Sequence, residues 1–219
     1  AVEPGSKLVH PHLDSNRNGE MPETPNEALD EALANAPHVF TETFKQHRYL
    51  TVPMETKGIL ASWEPFGQQL TIWISTQGPH GVRSFFARAL GIDDTQVRVV
   101  LPDVGGSFGL KMNPNEEEMA VVLATRLLGR PVKWIQDRRE NLGADEHPRE
   151  DEATVTMGVD DDGRILAAKV AFIESAGAYP AAFSSASVLS VMVFPGPYRI
   201  PAYGFSAKSV HTNTMGRGS

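Results

Sequence analysis

The sequence contains no cysteine. Disulfides, thiolate-bound zinc and a cysteine-ligated iron–sulfur cluster are therefore excluded within these residues. Positive charge is also in short supply: 20 Lys and Arg stand against 27 Asp and Glu, a formal net charge of −7. With no basic surface to offer, nucleic acid is not an expected partner. No apolar run reaches the roughly 20 residues of a membrane-spanning helix. The small-residue stretch Ala176 to Pro195 is broken by Tyr179, Pro180 and several serines. No leader pattern opens the chain, and a cytoplasmic location is the corresponding expectation. What is present, 219 residues of which 41% are hydrophobic, suffices for one large or two small globular domains with a proper core.

The most informative stretch is Val97-Arg98-Val99-Val100-Leu101-Pro102-Asp103-Val104-Gly105-Gly106-Ser107-Phe108-Gly109-Leu110-Lys111. Alternation at Val97, Val99 and Leu101 predicts a strand, which Pro102 ends. Three glycines in five positions then let the main chain take turns closed to other residues and approach a ligand. A helix follows, with Asn113 as the expected N-cap, Pro114 at its first position, Glu116 three residues after the cap, and Gly129 as its stop. Its expected apolar face is Met119, Val122, Leu123 and Leu127. A strand, glycine loop and helix commonly bind phosphate. Here the spacing G-G-S-F-G matches neither nucleotide fingerprint, and Glu116, Glu117 and Glu118 would repel an anion at that helix end. A nucleotide-phosphate domain is thus disfavoured. The loop is then either a ligand-contacting wall or a tight turn around a buried Phe108.

Along the rest of the chain, residues 1–25 read as extended linker, rich in Pro, Gly and Asn. His10 and His12 could hold a metal but have no third ligand nearby, and solvated side chains are the expectation. Glu27 to Ala36 should form a short helix with Ala28, Leu29, Ala32 and Leu33 on one face. Strands are expected at Val39–Phe44, His47–Val52, Gly58–Trp63 and Gln69–Ser75, with turns at Glu55-Thr56-Lys57 and Pro65-Phe66-Gly67 suggesting antiparallel neighbours. Glu55 is read as an ion-pair or turn-capping residue, with a buried functional carboxylate as the alternative. Pro79 opens a helix running through Leu90 and capped by Gly91, whose core face is Val82, Phe85, Phe86, Ala89 and Leu90. Gln77 sits at the junction before it. Its amide can donate a hydrogen bond into a pocket or merely satisfy loop carbonyls. Pro131–Ile135 reads as a strand, Asp137–Leu142 as a helix, and Gly143–Asp151 as a polar loop. A hairpin of Ala153–Val159 and Arg164–Glu174 turns at Asp160-Asp161-Asp162-Gly163. That turn lacks the further ligands of a calcium loop. The small-residue segment Ser175 to Ser190 suits close packing or a channel wall, and Tyr203–Thr212 is a last strand. The fold class is α+β, with mixed and antiparallel sheets and packed helices.

The upstream run Ser75-Thr76-Gln77-Gly78-Pro79-His80, combined with the glycine loop, resembles the large, molybdenum-binding subunit of the xanthine dehydrogenase and aldehyde oxidase family, closest to its carbon-monoxide-dehydrogenase-like branch. Val52-Pro53-Met54-Glu55, Gly129-Arg130-Pro131-Val132-Lys133-Trp134, Asp137-Arg138-Arg139-Glu140-Asn141, Asp162-Gly163-Arg164-Ile165, Gly177-Ala178-Tyr179-Pro180 and Thr212-Asn213-Thr214 continue it, from about Arg48 to the last residues. The resemblance implies a molybdenum cofactor, a molybdopterin carried as a dinucleotide, whose dithiolene supplies the sulfurs. It implies that Gln77 hydrogen-bonds the apical oxo ligand, that Phe108 and Gly109 lie against the metal, and that Gly105, Gly106 and Ser107 shape the cofactor-binding loop. FAD and [2Fe–2S] clusters would sit on partner subunits or domains and accept the electrons. The substrate would be a small carbonyl compound, an N-heterocycle or carbon monoxide.

Two departures from the family pattern matter. Purine and aldehyde enzymes commonly carry a substrate-binding glutamate where this chain has Met112, which argues against a purine. The arginine–glycine-rich loop that would carry the next active-site residues, and the catalytic glutamate beyond it, are not among these residues. The expectation is therefore a fragment: a lead-in at 1–38 and the N-terminal part of a molybdopterin-binding domain at 39–219, inactive without the rest of the large subunit. The alternative is a noncatalytic α+β binding or assembly module whose glycine loop is only a turn.

Overall fold

The structure, a computed structural model of the chain, describes residues 2–3, 5–179, 193–216 and 218. In chain order its elements are β1 (Arg17–Met21), α1 (Glu27–Asn35), β2 (His38–Arg48), β3 (Gly58–Glu64), β4 (Gln69–Ile74), α2 (Pro79–Leu90), a 3-10 turn (Asp94–Gln96), β5 (Val97–Val100), α3 (Glu116–Leu128), β6 (Val132–Ile135), α4 (Arg138–Ala144), β7 (Arg149–Val159), β8 (Ile165–Gly177) and β9 (Ala202–His211). Two mixed sheets with helices make this an α+β chain. The elements gather into two compact units. One, the split unit, joins residues 1–49 to 147–219, and the other, the inserted unit, is residues 50–146.

The split unit is a five-stranded sheet in the order β1-β9-β8-β7-β2, antiparallel except for the parallel pair β8–β9. Leu29 of α1 is fully buried against Ala167 and Ala202 on this sheet. A Cβ on Gly204 would come within 2.6 Å of Leu29 Cδ2, so a larger residue there would force the Leu29 side chain to shift. The chain start differs from the linker expectation, because Arg17–Met21 pairs with β9 as an edge strand. The two expected strands at Val39–Phe44 and His47–Val52 are one. Lys45 and Gln46 break the apolar pattern, yet pairing with β7 runs from His38 to Arg48, because an edge strand exposed on its faces needs no apolar alternation. The strand ends at Arg48, so Leu50 to Val52 lie outside it and Glu55-Thr56-Lys57 does not join antiparallel neighbours. The turn at Asp160–Gly163 does close the β7–β8 hairpin, with Asp160 Oδ1 accepting from the N–H groups of Asp162 and Arg164. Pro180 and most of Ser175–Ser190 lie outside the described residues.

The inserted unit is a four-stranded sheet in the order β5-β4-β3-β6. The two-residue period of the sequence places Ile59 and Ala61 of β3 and Leu70, Ile72 and Ile74 of β4 in one core with Val82, Phe86 and Ala87 of α2, Val97 of β5, and Val121 and Val122 of α3. Strands β3 and β4 are an antiparallel hairpin, whereas β4 and β5 run parallel, joined by the α2 crossover. Helix α2 ends at Gly91 in the left-handed conformation, as its sequence dictates. Its buried side is Val82, Phe86 and Ala87; Ala89 of the expected face is exposed. In α3 the cap is Asn115, not Asn113. Asn115 Oδ1 accepts from Glu118 N–H, and Glu118 Oε2 accepts from Asn115 N–H, so the capping box sits two residues later than expected. The buried side of α3 is Glu118, Val121, Val122 and Thr125, while Leu127 is 85% exposed. Phe86 is the largest fully buried side chain of this core. Phe86→Ala is expected to destabilise the inserted unit by about 3–5 kcal/mol, read as a lower midpoint in denaturant unfolding followed on this unit.

Candidate functional site

Strands β4 and β5 lie side by side and parallel, with Trp73 opposite Val100. Their carboxyl ends therefore open at the same edge of the sheet, where ligands characteristically bind in sheets with parallel strands. Gln77 follows the end of β4, and the glycine loop follows the end of β5. The sequence placed each at a strand end, and the fold brings the two together.

Gln77 Oε1 accepts from Ser107 Oγ and, at 3.1 Å, from Gly109 N–H. A backbone N–H only donates, so the atom facing Gly109 is the amide oxygen, which settles the orientation of the side chain. The amide NH2 of this exposed residue is thereby the end left to act as donor. Gln77 N–H donates to Lys111 O at 3.1 Å, and Thr76 Oγ1 donates to the same carbonyl at 2.7 Å. Phe108 is not the buried anchor of a turn. It is 74% exposed and holds a left-handed φ of 54°, flanked by Gly106 at 99° and Gly109 at 91°. A non-glycine residue in that region costs on the order of 1 kcal/mol or more, and here the surrounding loop hydrogen bonds hold it. Gly105 is required for another reason: a Cβ there would meet Glu55 Cβ at 2.6 Å. Of the five loop residues picked out in the sequence, Ser107 and Gly109 meet Gln77 directly, Gly105 meets Glu55, and Gly106 and Phe108 complete the turn between them.

Beneath the loop lies a polar group the sequence only half revealed. Glu55 Oε2 accepts from Lys111 Nζ at 2.8 Å, Ser75 Oγ at 2.6 Å and Gly105 N–H at 2.8 Å. The ion-pair reading of Glu55 is the observed one. Its partner Lys111 and the hydroxyl of Ser75 carry no local signal that would have joined them to it. Burial acts to raise the Glu55 pKa, but hydrogen bonds from Lys111, Ser75 and Gly105 and the Lys111 charge together outweigh it, so the carboxyl titrates below its ordinary range.

The two nearby helix starts differ electrostatically. Helix α2 begins right after Gln77 and Gly78 with no acidic residue in its first turn, so its positive end favours an anion. Helix α3 begins with Glu116, Glu117 and Glu118. Glu118 is only 2% exposed. Burial pushes its pKa up to about 7, against the lowering effect of the Asn115 N–H and of Lys57; Asp145 and Glu117 push it further up. Lys57 and Asp145 are themselves a buried pair at 3.0 Å, and Asp145 Oδ2 also accepts from Gln136 and Asn141. The segment from Gly143 to Asp151, expected as a polar loop, is the end of α4, this buried aspartate, and the start of β7. The aspartate can be buried because Lys57, Gln136 and Asn141 replace the water it loses. In the split unit His10 Nε2 donates to Ala178 O at 2.5 Å, and the His10 ring meets those of His12, Tyr179 and His211. No group of three potential ligands that could hold a metal occurs among the described residues.

A carboxyl raised from 4.5 to about 7 in the folded state favours folding fully below pH 4.5, and that contribution is lost as pH rises through about 7. The change is on the order of 3 kcal/mol. Glu118→Gln keeps an acceptor for the Asn115 N–H and removes the titration. The variant is expected to be more stable than the parent at pH 8.5, with the gap shrinking at pH 5.5, in urea unfolding curves run at both pH values.

Comparison with known proteins gives the family. Residues 9–219 match the family described as the molybdopterin cofactor-binding domain. The chain is 37% identical over 195 residues to the nicotine 6-hydroxylase large subunit of Paenarthrobacter nicotinovorans, covering 87% of this chain and 24% of that protein. It is 34% identical over 188 residues to the carbon monoxide dehydrogenase large chain of Hydrogenophaga pseudoflava, covering 85% and 23%. Quinoline 2-oxidoreductase from Pseudomonas putida 86 superposes with a TM-score of 0.85 at 33% identity, over 99% of this chain and 28% of that one. The chain thus spans about a quarter of the length of these relatives. A match over residues 9–219 places it plainly: the chain belongs to the molybdopterin cofactor-binding domain family.

Proposed function

We propose that this chain supplies one wall of the cofactor site of a molybdenum hydroxylase large subunit. Residues 39–219 are read as the N-terminal part of the molybdopterin-binding domain of a longer polypeptide, with 1–38 leading in. The observation that carries the reading is the pinning of Gln77 Oε1 by Gly109 N–H, which leaves the amide NH2 as the donor end of Gln77, next to a loop with an exposed Phe108.

The residues present fit the group. A molybdopterin brings its own sulfur ligands, so a chain without cysteine need supply only donors, shape and an apolar surface. Gln77 offers two amide hydrogens to an anionic oxygen of the cofactor. The positive end of α2 lowers the cost of holding negative charge beside it. Phe108, held out of the loop, would shield that oxygen from water and line the approach of a flat substrate. When bound, the cofactor supplies two-electron oxidation of the substrate with oxygen derived from water. Electrons would leave through iron–sulfur and flavin partners, and the pterin would be carried as a dinucleotide. The substrates named in two relatives, nicotine and quinoline, make N-heteroaromatic compounds the first to try, ahead of small carbonyl compounds and carbon monoxide. Met112, 43% exposed after the loop, offers such a ring an apolar contact where a purine-binding carboxylate would otherwise stand.

The test is metal content and turnover of the full-length protein made in a host that synthesises the cofactor. Gln77→Ala is expected to lower molybdenum-dependent turnover on the order of 100-fold, as loss of one preorganised donor does, with the inserted unit's unfolding midpoint unchanged. Residues 1–219 alone are expected to hold no stoichiometric molybdenum and to turn nothing over. Full activity from that piece would overturn the half-site picture. Indifference of the full-length protein to Gln77→Ala and Phe108→Ala together would leave a noncatalytic binding or assembly module.

A further inference from the structure

We propose that Glu55 is a positioning residue: acting through Ser75 and Lys111, it sets the glycine-loop conformation from which Gln77 presents its amide. The inference rests on reading Gln77 and residues 105–109 as the cofactor wall, and it names what holds that wall.

A single oxygen does the joining. Glu55 Oε2 receives Gly105 N–H, which opens the loop, Lys111 Nζ, which closes it, and Ser75 Oγ, two residues before Gln77. Lys111 Nζ also donates to Ser75 Oγ at 2.8 Å. The Lys111 side chain is 0% exposed, and Glu55 is the carboxylate it meets. A buried ammonium needs its counter-charge, so the position of Glu55 dictates that of Lys111. The main chain of Lys111 in turn dictates that of Gln77. Its carbonyl accepts from Gln77 N–H and Thr76 Oγ1, and its N–H donates to Ser107 Oγ at 3.1 Å. Ser107 Oγ then donates to Gln77 Oε1, the atom whose engagement leaves the amide NH2 as the donor end. The relay runs from one carboxylate to both ends of a seven-residue loop and to both the backbone and the side chain of Gln77. Protonation of Glu55 removes the counter-charge and loosens all of it at once. Asp103, on the same loop, and the helix-start glutamates 116–118 are the other acids of these segments; none is bonded to Glu55, Ser75 or Lys111.

The test is amide hydrogen exchange on the chain without cofactor, for the parent, Glu55→Gln, and Glu55→Gln combined with Lys111→Met. It is paired with molybdenum per chain in the full-length protein. Glu55→Gln is expected to speed exchange at Gly105, Gly109 and Gln77 at least tenfold while β3 and the centre of α2 keep their protection. The double variant, which has no unpaired buried ammonium, stays folded and shows the same local loss. In the parent, protection at Gly105 falls as pH drops below the ordinary carboxylate range, once the intrinsic pH dependence of exchange is divided out. In Glu55→Gln it does not change with pH. The full-length variants are expected to hold at least fivefold less molybdenum than the parent. Unchanged protection of the loop in a folded variant would overturn the proposal. So would a loss spread evenly over the inserted unit, which would make Glu55 a general stabiliser. A wild-type full-length protein that holds no molybdenum, but whose loop protection depends on Glu55 as stated, would remove the functional reading and leave the positioning role standing.

Discussion

One carboxylate oxygen, Glu55 Oε2, holds together the three segments from which the site is made. It takes a backbone N–H from the start of the glycine loop, an ammonium from its end, and a hydroxyl from the strand leading to Gln77. Such a junction is strong because the ammonium is buried. In water, each of these hydrogen bonds would compete with solvent and count for little. Around Lys111, whose side chain is wholly enclosed, breaking one partner leaves a charge with nothing to replace it. A flexible, glycine-rich segment thereby acquires a single conformation, and Phe108 can be kept in a left-handed turn that it would not adopt by itself.

That junction works only because β4 and β5 are parallel neighbours. A crossover through α2 brings both chain ends to one edge. An antiparallel pairing would have sent Gln77 and the glycine loop to opposite edges of the sheet. The same crossover puts the uncapped, acid-free start of α2 next to Gln77. The acid-rich start of α3 turns its charge elsewhere: Glu118 is folded back onto its own cap residue and buried.

The segment Glu55-Thr56-Lys57 serves two polar interiors. Glu55 anchors the loop, and two residues later Lys57 pairs with Asp145. Thr56 Oγ1 donates to Gln136 O between them, and Lys57 N–H donates to Gln136 Oε1. The balance of burial against partners explains the different ionisation. At Glu55 the hydrogen bonds and the Lys111 charge outweigh burial, and the acid is held ionised. At Glu118 and the half-buried Glu146 desolvation is the largest effect and Asp145 adds to it, so both are pushed toward their neutral forms despite the Lys57 charge.

Much of this was legible in the residues alone. The period-2 pattern of β3 and β4, the Pro79–Gly91 limits of α2, the Asp160–Gly163 turn, the glycine loop and Gln77 all depend on signals that act over a few positions, and they stand where the sequence put them. The misplaced features have a common cause. Asn113 and Asn115 are both competent caps, and the choice went to the one whose partner, Glu118, could be buried with it. Lys45 and Gln46 look like a strand break, yet β7 pairs straight through them. Residues 17–21 look like linker, yet β9 needed a neighbour. The sequence by itself determined the local elements, and with them the places of Gln77 and the glycine loop in the chain, because propensity, capping and turn geometry are short-range. Only the tertiary structure decided that Glu55 meets Lys111, that the ends of β4 and β5 coincide, and that Glu118 is buried and close to neutral. Those outcomes depend on which polar groups, tens of residues apart, are left to satisfy one another once the apolar faces are packed.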